Sequence, residues 1–124
     1  GYGERLIFTG GDILTCPGFG TGTYDGVFLS NICHMLGEKE NITLFKKVKK
    51  ALGKGGEIII HDQVLKDDKT GPEFAVLFRI HMLLGTKGGD TYSGQEYKEM
   101  LTRAGFTTFR KKGLRTGSSI ITAK

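Results

Sequence analysis

The chain has 124 residues, 38% hydrophobic and 25% charged, with a formal net charge of +5, which fits one domain around a single modest core. No run of about 18 or more apolar residues occurs, and no basic segment followed by an apolar one opens the chain, so neither a membrane span nor a secretory signal is visible and the expected setting is cytoplasmic, without a membrane partner. Cys16 and Cys33 are too few for a disulfide framework and belong to no CxxC pair, so both read as reduced structural thiols.

Residues 6–8, Leu-Ile-Phe, form a first short strand candidate closed by Gly10 and Gly11. The GFGTG run at residues 18–22 has the glycine spacing of a loop that passes close to a nucleotide, but such a loop must lie between a buried strand and a helix N-terminus. Thr15, Cys16 and Pro17 make a poor strand end, and only four residues separate the run from the apolar VFL. It therefore reads as a flexible connecting loop.

Residues 25–30, DGVFLS, form a second strand. Residues 38–52 follow as a helix in which Ile42, Phe45, Val48 and Leu52 recur at spacings of three and four, stopped by Gly53, Gly55 and Gly56. Three consecutive isoleucines at 58–60 predict a central parallel strand buried on both faces. Pro72 opens a helix to residue 84 that is apolar nearly all round and so is expected to be covered on more than one side. A third helix spans 93–104, with Ser93 and Glu96 spaced as a capping box and Gly105 as its stop. Residues 106–111 and 118–122 close the chain as a strand pair around a glycine-containing turn. The order implies an α/β fold, a mostly parallel sheet with an antiparallel C-terminal strand pair, flanked by helices.

The positive charge raises a nucleic-acid reading. Lys46, Lys47, Lys49 and Lys50 share one predicted helix and Arg110, Lys111 and Lys112 lie near one predicted strand, without the interleaved aromatic residues of a single-strand platform. This distribution reads as a solvated face and argues against a nucleic-acid partner, although a basic binding module stays as the rival reading.

In parallel α/β sheets the ligand crevice lies beyond the carboxyl ends of the strands. Asn31, Cys33 and His34 follow one buried strand, and His61 and Asp62 follow another. Two neighbouring strands thus bring a histidine and a carboxylate to one rim, where imidazole can take a proton while the carboxylate orients it. A metal site from Cys33, His34, His61 and His81 lacks any tight ligand spacing, so no metal is expected. Cys33 beside His34 is a weak nucleophile pair because adjacent side chains at a strand end point apart.

The series GGDIL at 10–14, YDGVFLSNICHML at 24–36, GKGGEIIIHDQVL at 53–65, MLLGTKGGDTYSGQEY at 82–97, AGF at 104–106 and the terminal SSIITAK resembles the C-terminal half of a class I S-adenosylmethionine-dependent O-methyltransferase. The similarity is to the family of caffeate, hydroxyneurosporene and acetylserotonin O-methyltransferases, and it runs in order along nearly the whole chain. It implies a partial Rossmann-like sheet, S-adenosyl-L-methionine as cofactor and a small-molecule hydroxyl acceptor. By position it implies His34 as the general base and Asp62 as the residue that orients it. Gly11, Asp12, Ile13, Ser30 and Asn31 fall at the cofactor, and His81 and Met82 fall in the segment lining the acceptor pocket.

Met35 and Leu36 stand where the family usually has Asp-Trp, Ser30 where plant members have a lysine, and Thr91 where a second acidic residue often flanks the base. The resemblance also implies that the first cofactor loop and an N-terminal dimerisation region lie upstream of Gly1. The expectation is a C-terminal part of a catalytic domain from a homodimeric protein, with little or no activity in the isolated chain. In that setting residues 6–8 either pair beside the 25–30 strand or stay loose. A structural half, competent only with an N-terminal partner, is the other alternative.

Overall fold

Strand β2 (Leu52–Asp62) forms the middle of the molecule because its isoleucines have neighbours on both edges. In the computed structural model, which describes residues 2–124, β1 (Tyr24–Ser30) pairs with β2 in parallel, with Val27 opposite Ile58 and Ser30 opposite His61. On the other edge β4 (Ser119–Ala123) runs antiparallel to β2, and β3 (Phe109–Gly113) runs antiparallel to β4. The order β1-β2-β4-β3 makes a mixed α/β sheet. The closing strand pair is antiparallel as the sequence predicts, but within the described sheet β2 is parallel to one neighbour only.

Helices α1 (Glu38–Ala51) and α3 (Gly94–Arg103) pack on one face of this sheet. Leu44, Phe45 and Val48 of α1 meet Ile58 and Ile60 of β2, Leu29 of β1, Ile121 of β4, and Tyr97, Met100 and Leu101 of α3 in one buried cluster. Strand alternation sends Ile59 to the opposite face, where it is only half-buried. Burial of β2 on both faces, expected from its three isoleucines, therefore holds on the helix side and is partial on the other.

Helix α2 (Glu73–Gly85) departs from expectation. Its apolar surface predicts cover on several sides, yet Phe74, Leu77, Ile80, Leu83 and Leu84 are exposed and only Ala75 and Met82 are buried. Composition reports how much apolar surface a helix offers; it does not report how many neighbours are present. Among the described residues no helix is long and apolar enough to cross a membrane. Residues 6–8 form no strand and lie exposed, with Phe8 92% accessible. They remain unpaired instead of adding to β1.

The GFGTG run connects as expected, and its last residue is tied to the end of α1. The Gly22 N–H donates to the Lys50 carbonyl at 2.9 Å and the Thr23 N–H to that of Ala51 at 2.8 Å, so this segment satisfies carbonyls that the end of α1 would leave orphaned. Gly22 has φ +60°, a conformation in which a side chain is strained. The predicted glycine stop of α1 serves another purpose: the helix ends at Ala51 and residues 52–56 already belong to β2. A Cβ on Gly56 would sit 3.0 Å from the Gly53 carbonyl oxygen and 3.1 Å from that of Tyr24, so the glycine permits a close backbone approach. The start of β3 is later than predicted because Phe106 turns into the core while the Thr107 N–H donates to the Lys124 carbonyl.

The capping box at α3 is formed in both directions: Ser93 Oγ accepts from the Glu96 N–H at 3.2 Å and Glu96 Oε1 accepts from the Ser93 N–H at 3.1 Å. Gly105, at φ +103°, follows the helix. Replacing Ser93 by Ala is expected to lower stability by about 1 kcal/mol, with Asn at the same site close to the native value. Urea unfolding monitored by circular dichroism measures both.

Candidate active site

The parallel pairing of β1 with β2 brings their carboxyl ends side by side. Beyond β1 the backbone reverses through Asn31, at φ +56°, into a 3₁₀ turn at Cys33–Met35 that carries His34. Beyond His61, β2 ends at Asp62, whose carboxylate is fully buried. His34 Nδ1 lies 2.7 Å from Asp62 Oδ1, and the His34 backbone N–H donates to Oδ2 at 3.1 Å. The Gln63 N–H donates to Oδ1 at 2.8 Å and the Tyr97 hydroxyl to Oδ2 at 3.4 Å.

An ionised carboxylate only accepts, and here it receives two backbone N–H groups and a phenol besides the imidazole. In the neutral ring the network therefore assigns the proton to Nδ1 and the lone pair to Nε2. The imidazole is nearly buried, and the Phe78 ring of α2 meets it edge-on with centroids 4.9 Å apart. Phe74 stacks on Phe78 at 6.1 Å and His81 lies 6.4 Å from it. An oriented proton acceptor thus sits beside an aromatic patch, an arrangement suited to removing a proton from a polar group on a planar acceptor.

The other predicted residues are distributed around this centre. His61 projects from the opposite face of β2 and bridges Ser30 Oγ, 3.0 Å from Nδ1, and Ser118 Oγ, 2.9 Å from Nε2. It ties the ends of three chain segments together and takes no part in the His34–Asp62 pair. Asn31 lies exposed at the end of β1, its Nδ2 3.4 Å from Ser30 Oγ. Gly11, Asp12 and Ile13 lie in a loop before β1, where Asp12 Oδ1 accepts the Leu14 N–H at 2.8 Å and Ile13 packs partly buried against the core. This loop is gripped from α1 by Lys47, whose Nζ donates to the Ile13 and Leu14 carbonyls at 3.1 and 2.9 Å. His81 is exposed on α2 and Met82 faces inward.

Lys47 and Lys49 do not belong to a simple solvated face. Lys47 grips the loop, and the Lys49 ammonium lies 4.9 Å from the Phe106 ring centroid. Cys33 is buried, and desolvation, followed by the nearby Asp62 charge, pushes its thiol far up, which removes it as a nucleophile at neutral pH. Sequence reading misses Tyr97, Phe78 and Asn41. Phe78 sits in a helix whose reading as acceptor lining singled out His81 and Met82, and Tyr97 and Asn41 sit on helix faces where only the tertiary contacts reveal a polar task.

The profile of the O-methyltransferase domain matches residues 2–107. The chain belongs to this family. Among its relatives is the S-adenosyl-L-methionine-dependent methyl transferase PigF of Serratia sp. (strain ATCC 39006), 34% identical over 89% of this chain and 31% of PigF. L-tyrosine C(3)-methyltransferase of Streptomyces lavendulae is 35% identical over 90% of this chain and 31% of that enzyme. The crystal structure of human N-acetylserotonin methyltransferase in complex with SAM superposes with a TM-score of 0.87 at 25% identity, covering 98% of this chain and 34% of that one. The chain thus spans about a third of the length of these methyltransferases. The fold is that of their class I domain.

Two measurements check the electrostatic picture. Iodoacetamide at pH 8 is expected to label half-exposed Cys16 and to spare Cys33 until denaturant is added, as peptide mass spectrometry will show. Burial raises the Tyr92 phenol from 10.0 to about 12 and also pushes the Tyr97 phenol well up. Both phenols hold their protons more tightly when folded, so the Tyr92 contribution is complete below pH 10 and is lost as pH rises through about 12. Melting temperature is therefore expected to fall between those values, and less steeply in Tyr92→Phe.

Proposed function

We propose that this chain is the base-bearing part of a methyltransferase that moves a methyl group from S-adenosyl-L-methionine to a hydroxyl of a small aromatic acceptor, with His34 as general base. The observation that carries the reading is the fully buried Asp62 carboxylate 2.7 Å from His34 Nδ1, which leaves Nε2 as the proton acceptor.

The residues present suit one side of such a cofactor. Gly10 and Gly11 leave open space where a Cβ would project, and Asp12 is exposed beside them at a cleft of about 200 Å³ lined also by Ile13 and Phe19. Gly11, Asp12 and Ile13 would hold the adenosine end. At the end of β1 the Ser30 hydroxyl is committed to His61, so Asn31, exposed and at 3.4 Å from Ser30 Oγ, is the polar group there that would turn toward a ligand. When bound, the cofactor supplies a sulfonium methyl whose S–C bond breaks as the acceptor O–C bond forms, leaving S-adenosylhomocysteine.

His34 Nε2 takes the hydroxyl proton as the acceptor oxygen becomes the nucleophile, and the imidazolium so formed is stabilised by Asp62 through Nδ1–H. Phe78 fixes the ring edge and, with Phe74, His81 and Met82, offers an acceptor wall. Removal of a phenolic proton also activates the adjacent ring carbon toward the methyl group, after which that carbon gives up its own C–H proton and the oxygen regains one, so the same base would serve carbon methylation of the kind named for the Streptomyces lavendulae relative.

In the protein that carries this chain, His34→Asn is expected to slow methyl transfer by about 10²- to 10⁴-fold while S-adenosylhomocysteine affinity, measured by calorimetry, stays within about threefold, well under 1 kcal/mol. An unchanged rate across a panel of phenols would remove His34 from the reaction.

A further inference from the structure

The turn that carries His34 needs more than Asp62 to hold it. Asp62 holds His34 itself, the ring through Oδ1 and the backbone N–H through Oδ2, but reaches neither the Cys33 nor the Leu36 carbonyl on either side of it. The tilt of the turn between those carbonyls bears on where Nε2 points.

The two ends of the turn are fixed from α1. Asn41 is fully buried in the second turn of the helix, and its Nδ2 donates to the Cys33 carbonyl at 3.0 Å and to the Leu36 carbonyl at 3.3 Å. One amide thereby spans the residues on either side of His34 and Met35. Tyr92, itself buried, donates its hydroxyl to the same Leu36 carbonyl at 2.6 Å. The rest of the inward face of α1 is apolar: Leu44, Phe45, Val48 and Ala51. A polar amide in such a row is unfavourable unless it is hydrogen-bonded, and Asn41 Oδ1 has no partner among the described residues. The side chain is thus half satisfied, and the half that is satisfied is the half that grips the turn.

We propose that Asn41 is a positioning residue for His34, acting with Tyr92 to set the direction of the free imidazole nitrogen. This rests on the reading of His34 as the base.

The test is a long-range ¹H–¹⁵N correlation experiment on the imidazole groups of the ¹⁵N-labelled chain. In the native sequence His34 is expected in the Nδ1–H form with a slowly exchanging ring proton. In Asn41→Ala the backbone amide signals of β2 and β4 are expected to stay in place, while the His34 ring proton exchanges at least roughly tenfold faster, as a locally opened contact does. Asn41→Asp, equal in size but without the donor pair, is expected to behave like Ala. Tyr92→Phe keeps the amide clamp and removes one hydroxyl, so it is expected to give a smaller acceleration. If both of these Asn41 variants fail to fold, Asn41→Leu takes their place, because a near-isosteric apolar side chain suits the apolar row of α1 and lacks the donor pair, and a native exchange rate there would leave the clamp without effect on the ring. A native ring proton in every variant, or loss of β2 and β4 signals along with it, would overturn the proposal by making Asn41 irrelevant or merely structural. An Nε2–H form in the native chain would instead remove the base reading on which it rests. In the protein that carries this chain, Asn41→Ala is further expected to lower kcat with little change in the KM for either substrate.

Discussion

The buried carboxylate of Asp62 is the constraint around which the rest is arranged. A charge without solvent is tolerated only when its lone pairs are filled, and four donors from three parts of the chain fill these. Each donor imposes a condition. The backbone N–H of His34 requires β1 to end one turn before the 3₁₀ segment, the N–H of Gln63 requires β2 to end at Asp62, and the Tyr97 hydroxyl requires α3 to lie over that end. The hydrophobic cluster supplies the driving force that brings these elements together. The carboxylate selects one arrangement among the many that would bury the same apolar area.

The two faces of the sheet have different roles. The face covered by α1 and α3 holds the His34–Asp62 pair. The opposite face shows Phe28, Ile59 and Thr122 in one cross-strand row and Ser30, His61 and Ile120 in the next. Phe28 is largely exposed and Ile59 half-buried. The imidazole of His61, bridged by two hydroxyls, gives this second face a polar fastening across β1, β2 and the segment leading into β4. Strand alternation sends the consecutive His61 and Asp62 of β2 to opposite sides, so His61 is kept from the side on which Asp62 meets His34.

Much of the fold was legible in the sequence wherever a local rule governs it. The spacing of Phe45 and Val48 marked α1, Ser93 with Glu96 marked the start of α3, and the isoleucine run marked β2. That a histidine and a carboxylate share one rim follows from where the strands end, and the choice of His34 with Asp62 follows from the family resemblance. The expected cover of α2 went astray because apolar side chains announce a wish for neighbours, and whether neighbours exist is a property of the whole; residues 6–8 took the loose one of their two expected outcomes. The grip of Lys47 on the Ile13 and Leu14 carbonyls, and of Tyr97 on Asp62, joins residues more than 30 positions apart. No periodicity or motif encodes such contacts, since they depend on helix rotation relative to the sheet.

Helix α1 touches both ends of the candidate site. Near its start Asn41 holds the turn of His34, and six residues later Lys47 holds the loop of Asp12 and Ile13. At 1.5 Å of rise per residue these grips stand about 9 Å apart along the axis. The helix is therefore a ruler between the turn of His34 and the loop, graduated in whole residues. Its length cannot drift by a fraction of a step, and one residue more or less between the two grips would turn one of them through about 100° and away from its target. The spacing is stored in the count of residues and does not depend on the flexible surface chemistry around it.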